Sequence, residues 1–251
     1  MRRLLPDPDP GPLDVPALIA ALRLADRAPA ERPYTVANFV ESADGRATFD
    51  ARSSALGDDG DKQVFRALRA VCDVVLVGTG TLASEHYGRL VRDDALQAAR
   101  TALGLPVQPL LCTVTRSGSV SREIPLLADP DARVIVYSGA PTSIGDVAAS
   151  VEVVTVDPGE LTLASALRDL RAHHGAGLVL CEGGPTVFGQ LIDERAVDEL
   201  FLTIAGKLAG GGGPTVVSGL TLREPLALSL EWLLEQDGSL FARYALPTGP
   251  P

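Results

Sequence analysis

One segment, Leu178–Thr186, combines a short apolar run with the residue types of a ligand-binding turn. The run ends on the carboxylate of Glu182, which is followed by Gly183, Gly184, Pro185 and a hydroxyl. Glycines let the backbone turn sharply and approach a ligand, and proline suits the first turn of a helix. The free N–H groups of such a turn, together with the helix dipole, bind phosphate. The segment therefore predicts a strand–loop–helix nucleotide cradle, although an ordinary strand-to-helix turn has the same local pattern.

Three further apolar runs also end on glycine, hydroxyl or charged residues. These ends are Gly78–Thr81, Thr115–Ser117 and Ser138-Gly139. In open α/β sheets, ligands bind outside the carboxyl ends of the strands. The agreement between four strand ends therefore favours a nucleotide site more strongly than any one of them does.

The order of elements predicts the architecture that positions these ends. Apolar runs alternate with helical patterns, which is typical of a mainly parallel sheet with helices on both faces. The Asp237-Gly238 turn predicts a C-terminal antiparallel hairpin. Strands are predicted at 34–40, 74–77, 110–115, 133–137, 151–156, 178–182, 199–205, 231–236 and 239–246, and helices at 61–70, 93–103, 161–174 and 185–193. The predicted fold class is a three-layer α/β/α sandwich.

The N-terminal segment has a different composition. Residues 1–13 are rich in Pro and Asp, which favours a segment without fixed structure. Asp14 is expected to cap a helix over Val15–Ala25. We therefore predict an N-terminal arm with a short helix over residues 1–30 and one further domain over residues 31–251.

Composition excludes several classes of protein. The 251 residues carry a formal net charge of −10, which disfavours a broad nucleic-acid surface because phosphate backbones need clustered Lys and Arg. No apolar run approaches the roughly 18 residues of a membrane helix, and Asp7–Pro10 stand where a signal peptide would be apolar. A cytoplasmic protein without a membrane partner is expected. The histidines lack metal-ligand spacing, and buried, reduced thiols are expected at Cys72, Cys112 and Cys181.

Five short motifs in order resemble the reductase domain of bacterial riboflavin biosynthesis, which has a dihydrofolate-reductase-like fold. The resemblance spans about residues 33–246. The motifs are Ser42-x-Asp44-Gly45, Leu68-Arg69-Ala70, Gly78-x-Gly80-Thr81, Glu182-Gly183-Gly184-Pro185-Thr186, and Val197-Asp198-Glu199-Leu200 followed by a strand into Lys207. The resemblance implies an NADPH-dependent reductase that converts the ribosyl group of a phosphorylated 5-aminouracil intermediate to a ribityl group. It also implies a homodimer.

The resemblance also implies roles for individual residues. Cofactor contacts are implied for Val40, Gly78, Gly80, Thr81, Glu85, Arg116, Gly183, Gly184, Pro185 and Thr186. Substrate contacts are implied for Asn38, Ser42, Ser54, Arg69 and Lys207, with Ser53 as an alternative to Ser54. Arg116 is expected beside the adenosine 2′-phosphate, where a solvated loop arginine is the alternative. The alternative role of Arg69 is to offset the dipole of its own helix. The alternative for Lys207 is an ordinary surface lysine.

Two carboxylates are candidates for assisting opening of the sugar ring, Asp44 and Glu182. The alternative for Asp44 is a plain turn residue. The alternative for Glu182 is a capping role, in which its carboxylate accepts hydrogen bonds from loop N–H groups. The segment Glu85–Leu90 departs from the family's usual Asp-Pro-x-Leu-Thr run. Two alternatives therefore stay open: a reductase of a pterin or another small substrate, and a catalytically silent nucleotide-binding protein.

Overall fold

Continuous apolar runs form the central strands of one ten-stranded sheet in the computed structural model. The structure describes residues 1–50, 52–222 and 224–247. The strands are β1 (Arg2–Leu5), β2 (Tyr34–Ser42), β3 (Val74–Val77), β4 (Leu110–Thr115), β5 (Arg133–Ser138), β6 (Ser150–Thr155), β7 (Leu178–Gly183), β8 (Glu199–Ala205), β9 (Ser229–Gln236) and β10 (Ser239–Ala245). All nine predicted strands are confirmed within two residues, and β1 was not predicted.

Six α-helices lie within the described residues, most of them begun by a side-chain cap. They are α1 (Val15–Ala21), α2 (Asp59–Val71), α3 (Thr79–Ser84), α4 (Asp94–Ala102), α5 (Leu163–His174) and α6 (Pro185–Asp193). The carboxylates of Asp14, Asp58 and Asp93 accept first-turn N–H groups of α1, α2 and α4. Such caps satisfy backbone donors that the helix itself leaves unpaired. The predicted helices are confirmed, and α3 is an additional one.

The strand order across the sheet is β1-β9-β10-β8-β2-β7-β3-β4-β5-β6. Neighbours from β8 to β6 are parallel, whereas β10, β9 and β1 form an antiparallel edge. One apolar core packs α1, α2 and α3 against one face, and a second packs α5 and α6 against the other. The predicted three-layer architecture with its C-terminal hairpin is therefore confirmed.

The expectation that residues 1–13 lack fixed structure is wrong. Strand β1 pairs with β9, and the Arg2 guanidinium lies 2.7 Å from the Glu235 carboxylate. Ladder hydrogen bonds and this ion pair order a strand that buries little side-chain surface, so no hydrophobic pattern marks it in the sequence. Helix α1 ends at Ala21, short of the predicted Ala25, and Arg23 then adopts a left-handed conformation with φ of 48°.

The three cysteines are buried and unpaired, as predicted. Burial raises the pKa of each thiol, so all three are uncharged at neutral pH. In the parts of the chain that the structure describes, no helix has the length and apolar character to cross a membrane. The same residues contain no cluster of His, Cys, Asp and Glu that could hold a metal ion.

A fully buried arginine fixes the C-terminal end of α2. Arg100, on α4, is 0% exposed. Its guanidinium donates to the carbonyls of Arg69 and Cys72, both at 2.7 Å, and to Pro106 at 2.8 Å. Helix ends leave such carbonyls without intrahelical partners. Arg100 therefore positions the turn of α2 that carries Arg69.

We predict that Arg100→Met destabilises the protein by about 3 kcal/mol, because three carbonyls lose a charged donor in a buried site. Urea unfolding followed by circular dichroism measures the change. Arg168→Met is the control, since Arg168 is exposed on α5 and surface changes of this kind stay within about 0.5 kcal/mol. Equal stabilities of the two variants would contradict the capping role.

Candidate functional site

The four predicted strand ends meet at one edge of the sheet, because β7, β3, β4 and β5 are neighbouring parallel strands. The Gly78 N–H donates to the Gly183 carbonyl at 3.0 Å. A Cβ atom at Gly184 would lie 2.8 Å from Thr81 Oγ1, and Gly183 has φ of +142°. Side chains larger than hydrogen would push the two turns apart. The glycines therefore let the β3 and β7 turns touch.

Helix α6 begins directly at the β7 turn. Gly184 is its N-cap residue and Pro185 its first residue, and no side chain caps the helix. The first-turn N–H groups therefore have no side-chain acceptor, and they coincide with the positive end of the helix dipole. The predicted strand–loop–helix geometry is confirmed. Phosphate binding there stays a prediction.

A cavity of about 670 Å³ opens beside this turn. It brings together nine of the predicted site residues: Asn38, Val40, Ser54, Arg69, Thr81, Glu85, Glu182, Gly184 and Pro185. Asn38 is 9% exposed, and its side-chain oxygen has no hydrogen-bond partner among the described residues. Buried polar atoms are rarely left unpaired. This oxygen therefore marks a place where a ligand donor fits.

A second cavity of about 160 Å³ lies on the other side of the glycine turns. Gly78, Arg116, Val187 and Gln190 are among the residues that line it. Pro185 lines the larger cavity and Val187 the smaller one, so the first turn of α6 separates the two. Arg116 is exposed and takes part in no ion pair within the described residues. This placement suits a cationic contact to an anionic ligand.

Arg69 and Glu182, which both line the larger cavity, form a buried ion pair with two hydrogen bonds. Arg69 Nε and Nη2 donate to the two Glu182 oxygens at 2.6 and 2.7 Å, and the side chains are 12% and 1% exposed. Arg69 Nη1 donates to the Leu90 carbonyl. Tyr87 donates its hydroxyl to Glu182 at 2.8 Å. Glu182 thus binds side chains of α2 and of the segment after α3, and among the described residues no loop N–H group donates to it.

Glu85 anchors the loop that precedes α2. Its Oε1 accepts hydrogen bonds from the backbone N–H and the hydroxyl of Ser53, both at 3.1 Å. Ser54 also lines the larger cavity, and it is exposed. Of the two serines that the resemblance leaves open, Ser54 is the one whose hydroxyl has no partner within the described residues.

Six predicted residues do not line either cavity: Ser42, Asp44, Gly80, Gly183, Thr186 and Lys207. The Ser42 hydroxyl and the N–H groups of Ala209 and Gly210 donate to Asp44 and hold the pKa of its carboxyl well below the usual range. Lys207 Nζ donates to the Ala55 and Leu56 carbonyls at 3.0 and 2.8 Å. An acid that stays ionised is a poor proton donor. The structure therefore supports the turn alternative for Asp44 and gives its catalytic role no support.

Tyr87 and Asp61 are among the cavity residues that were not predicted from the sequence. Burial raises the pKa of Tyr87 well above its ordinary value, so its hydroxyl stays a donor to Glu182. Asp61 lines the larger cavity and accepts a hydrogen bond from Thr203 Oγ1 at 2.7 Å. Burial raises its pKa to about 6. An Asp in the first turn of a helix is ordinarily a dipole or cap residue, and Tyr87 falls in a segment without periodicity, so no local pattern identifies either.

A mostly parallel sheet that is flanked by helices and has cavities at its carboxyl edge defines an α/β architecture of the kind that binds ligands at that edge. The chain belongs to the RibD C-terminal domain family, whose model matches residues 33–238. A curated relative is the 2,5-diamino-6-ribosylamino-4(3H)-pyrimidinone 5′-phosphate reductase of Archaeoglobus fulgidus. It is 28% identical over 191 residues, which are 75% of this chain and 87% of the relative.

Two further similarities bear on chain length and fold. The riboflavin biosynthesis protein RibD of Mycobacterium tuberculosis is 31% identical over 182 residues, which are 71% of this chain and 44% of the relative. The crystal structure of a pyrimidine reductase-like protein from Corynebacterium diphtheriae aligns with a TM-score of 0.76 and 23% identity, covering 94% of this chain and 100% of that one. This structural match confirms the dihydrofolate-reductase-like fold.

We predict that Arg69→Met and Glu182→Gln each destabilise the protein by about 3 to 5 kcal/mol, because each leaves a buried partner without its counter-charge. The double variant should lose less than the sum of the two. Urea unfolding of the wild type, both single variants and the double variant measures this coupling.

The control is the exposed Arg23–Asp26 pair, whose side chains are 78% and 57% exposed. Its coupling should stay below about 1 kcal/mol. A coupling energy for Arg69 and Glu182 that is no larger than this surface value would show that the buried pair does not hold α2 to β7.

Proposed function

We propose that this protein is an NADPH-dependent reductase that converts the ribosyl group of a phosphorylated 5-aminopyrimidine into a ribityl group in riboflavin biosynthesis. The observation that carries the proposal is the pair of cavities on either side of the α6 N-terminus. A dinucleotide laid across that turn would reach both. Membership of the RibD C-terminal domain family supports the pathway, and the names of the archaeal relatives support the substrate class.

The residues around the turn fit the parts of a nicotinamide cofactor. When bound, the cofactor supplies a hydride. Val40 and Thr81 line the larger cavity, where the nicotinamide would lie. The uncapped first turn of α6 would hold the pyrophosphate through its N–H groups. Arg116 would bind the 2′-phosphate, and this is the contact that would favour NADPH over NADH.

The larger cavity also has room and chemistry for the substrate. Its 670 Å³ falls within the roughly 300–1,000 Å³ of small-molecule sites. The unpartnered Asn38 oxygen can accept a hydrogen bond from a pyrimidine N–H. Arg66 and Arg92 line the cavity and form no ion pair within the described residues, so they are available for the substrate phosphate.

The same proposal includes a cytoplasmic homodimer, which the family resemblance implies. Four partly exposed leucines support an interface. They lie on β9 and on the segment before it, and they are 37–46% exposed: Leu222, Leu226, Leu228 and Leu230. Clusters of exposed apolar side chains are typical of association surfaces.

The proposed activity is tested by following NADPH absorbance with four candidate substrates in parallel. We expect oxidation with 2,5-diamino-6-ribosylamino-4(3H)-pyrimidinone 5′-phosphate, with its deaminated uracil counterpart, or with both. Dihydrofolate and the dephosphorylated pyrimidine are the comparison compounds. Oxidation only with dihydrofolate would favour a pterin reductase, and cofactor binding without any oxidation would favour a silent binding protein.

We predict that Arg116→Ala weakens NADPH binding about tenfold or more and leaves NADH binding nearly unchanged, because only NADPH carries the 2′-phosphate. Fluorescence titration of the reduced cofactors measures both dissociation constants. Arg133→Ala is the matched control, since Arg133 is exposed at the start of β5, on the opposite edge of the sheet. Equal losses for the two cofactors would refute the assignment of Arg116.

A further inference from the structure

The proposed reduction requires a proton as well as a hydride, and most carboxylates around the larger cavity are committed to other contacts. Glu182 accepts from Arg69 and Tyr87. Glu85 accepts from Ser53. Asp93 accepts the N–H groups of the first turn of α4. Each of these groups is already occupied as an acceptor by donors of the chain itself.

Asp61 differs from these carboxylates. It projects from the first turn of α2 and lines the larger cavity. Its Oδ1 accepts a hydrogen bond from Thr203 at 2.7 Å, and its Oδ2 has no partner within the described residues. A Cβ atom at Gly57 would lie 2.5 Å from Oδ2, so the absence of a side chain there leaves this oxygen free.

Asp61 also lies beside the strand where the nicotinamide is placed in our proposal. Thr203 on β8 is paired in register with Val40 on β2. Because Asp61 contacts Thr203, its carboxyl group lies next to this part of the β2–β8 pair. Asn38 and Val40 line the same cavity. The carboxyl group is thus on the cavity wall that adjoins the expected site of hydride transfer.

We propose that Asp61 is the general acid of the reduction, a role that rests on the proposed function. The bond between C1 of the ribosyl group and its ring oxygen breaks. The ring oxygen takes the proton of Asp61 and becomes a hydroxyl group, while C1 receives the hydride and the cofactor is oxidised. Asp61 then regains a proton from solvent, so each turnover consumes one hydride and one proton.

The surroundings of Asp61 suit a carboxyl group that keeps its proton to a higher pH than an ordinary Asp does. Burial is the largest cause that raises its pKa, to about 6, and the nearby Asp58 carboxylate adds to it. The Thr203 hydrogen bond and the charges of Lys62 and Lys207 act in the opposite direction. Lys207 is held by the Ala55 and Leu56 carbonyls. A general acid works best with a pKa near the working pH.

Steady-state kinetics across pH 5 to 9 test the proposal with wild type, Asp61→Asn, Asp61→Glu and Asp59→Asn. For the wild type, we expect kcat/KM to fall about tenfold per pH unit above roughly 6, as the acid loses its proton. Asp61→Asn should lower kcat about 100-fold or more, remove that pH dependence and leave the NADPH dissociation constant within twofold. Asp61→Glu should restore part of the rate.

Asp59→Asn is the matched control, because Asp59 lies on the same helical turn with a side chain that is 85% exposed. It should keep the wild-type rate and pH profile. A second measurement needs no turnover: the ¹³C chemical shift of the Asp61 carboxyl in the resting protein, assigned by comparison with Asp61→Asn. We expect it to titrate well above the ordinary Asp range of about 4.

The two possible failures are distinguishable. A wild-type protein that binds NADPH but oxidises it with neither pyrimidine overturns the proposed function, and the role of Asp61 in it falls as well. Turnover by the wild type that Asp61→Asn retains, with the same pH dependence, overturns the role of Asp61 alone. An ordinary carboxyl titration near pH 4 would also overturn that role.

Discussion

The Arg69–Glu182 ion pair joins the two halves of the site, because one partner comes from helix α2 and the other from the end of strand β7. A buried pair is retained only when its hydrogen-bonding groups are satisfied. Here Tyr87 and the Leu90 carbonyl bind the remaining positions. The segment after α3 is thereby fixed to the same two groups. Arg100 in turn holds the carbonyl of Arg69, so the position of this wall of the cavity depends on one buried polar network.

The fold was predictable where a periodic signal reports burial. Runs such as Val74–Val77 are apolar at every position because both faces of a central parallel strand are covered. Strand β1 gave no such signal, since its side chains are exposed or half-buried and its order comes from backbone pairing with β9. Helix α3 was missed because its Thr-Gly-Thr start has the composition of a turn. Tertiary contacts, which no local window contains, decided both cases.

The residues of the candidate site likewise fall into those that the sequence could predict and those that it could not. Residues at strand ends were predictable because parallel strands bring their carboxyl ends to one edge, and Gly78, Glu182 and Gly184 meet there. Residues that reach the cavity from helices or irregular segments were not, as Asp61 and Tyr87 show. Asp44 was a candidate because an acid beside the substrate could assist opening of the sugar ring. In the structure, three donors hold that carboxylate in its own turn, which the sequence motif could not reveal.

A chain with a net charge of −10 binds an anionic cofactor and substrate only if the acidic groups near the site are paired with donors. The site shows such pairing. Glu182 is matched by Arg69, and Glu85 by Ser53 donors, so neither leaves an uncompensated acceptor in the cavity. Asp61 is the exception, since burial rather than a cation sets its protonation. Carboxyl groups whose environments differ this much take different roles in one active site. Carboxylates that are paired with donors organise the walls, and Asp61, whose pKa is raised, is left for chemistry.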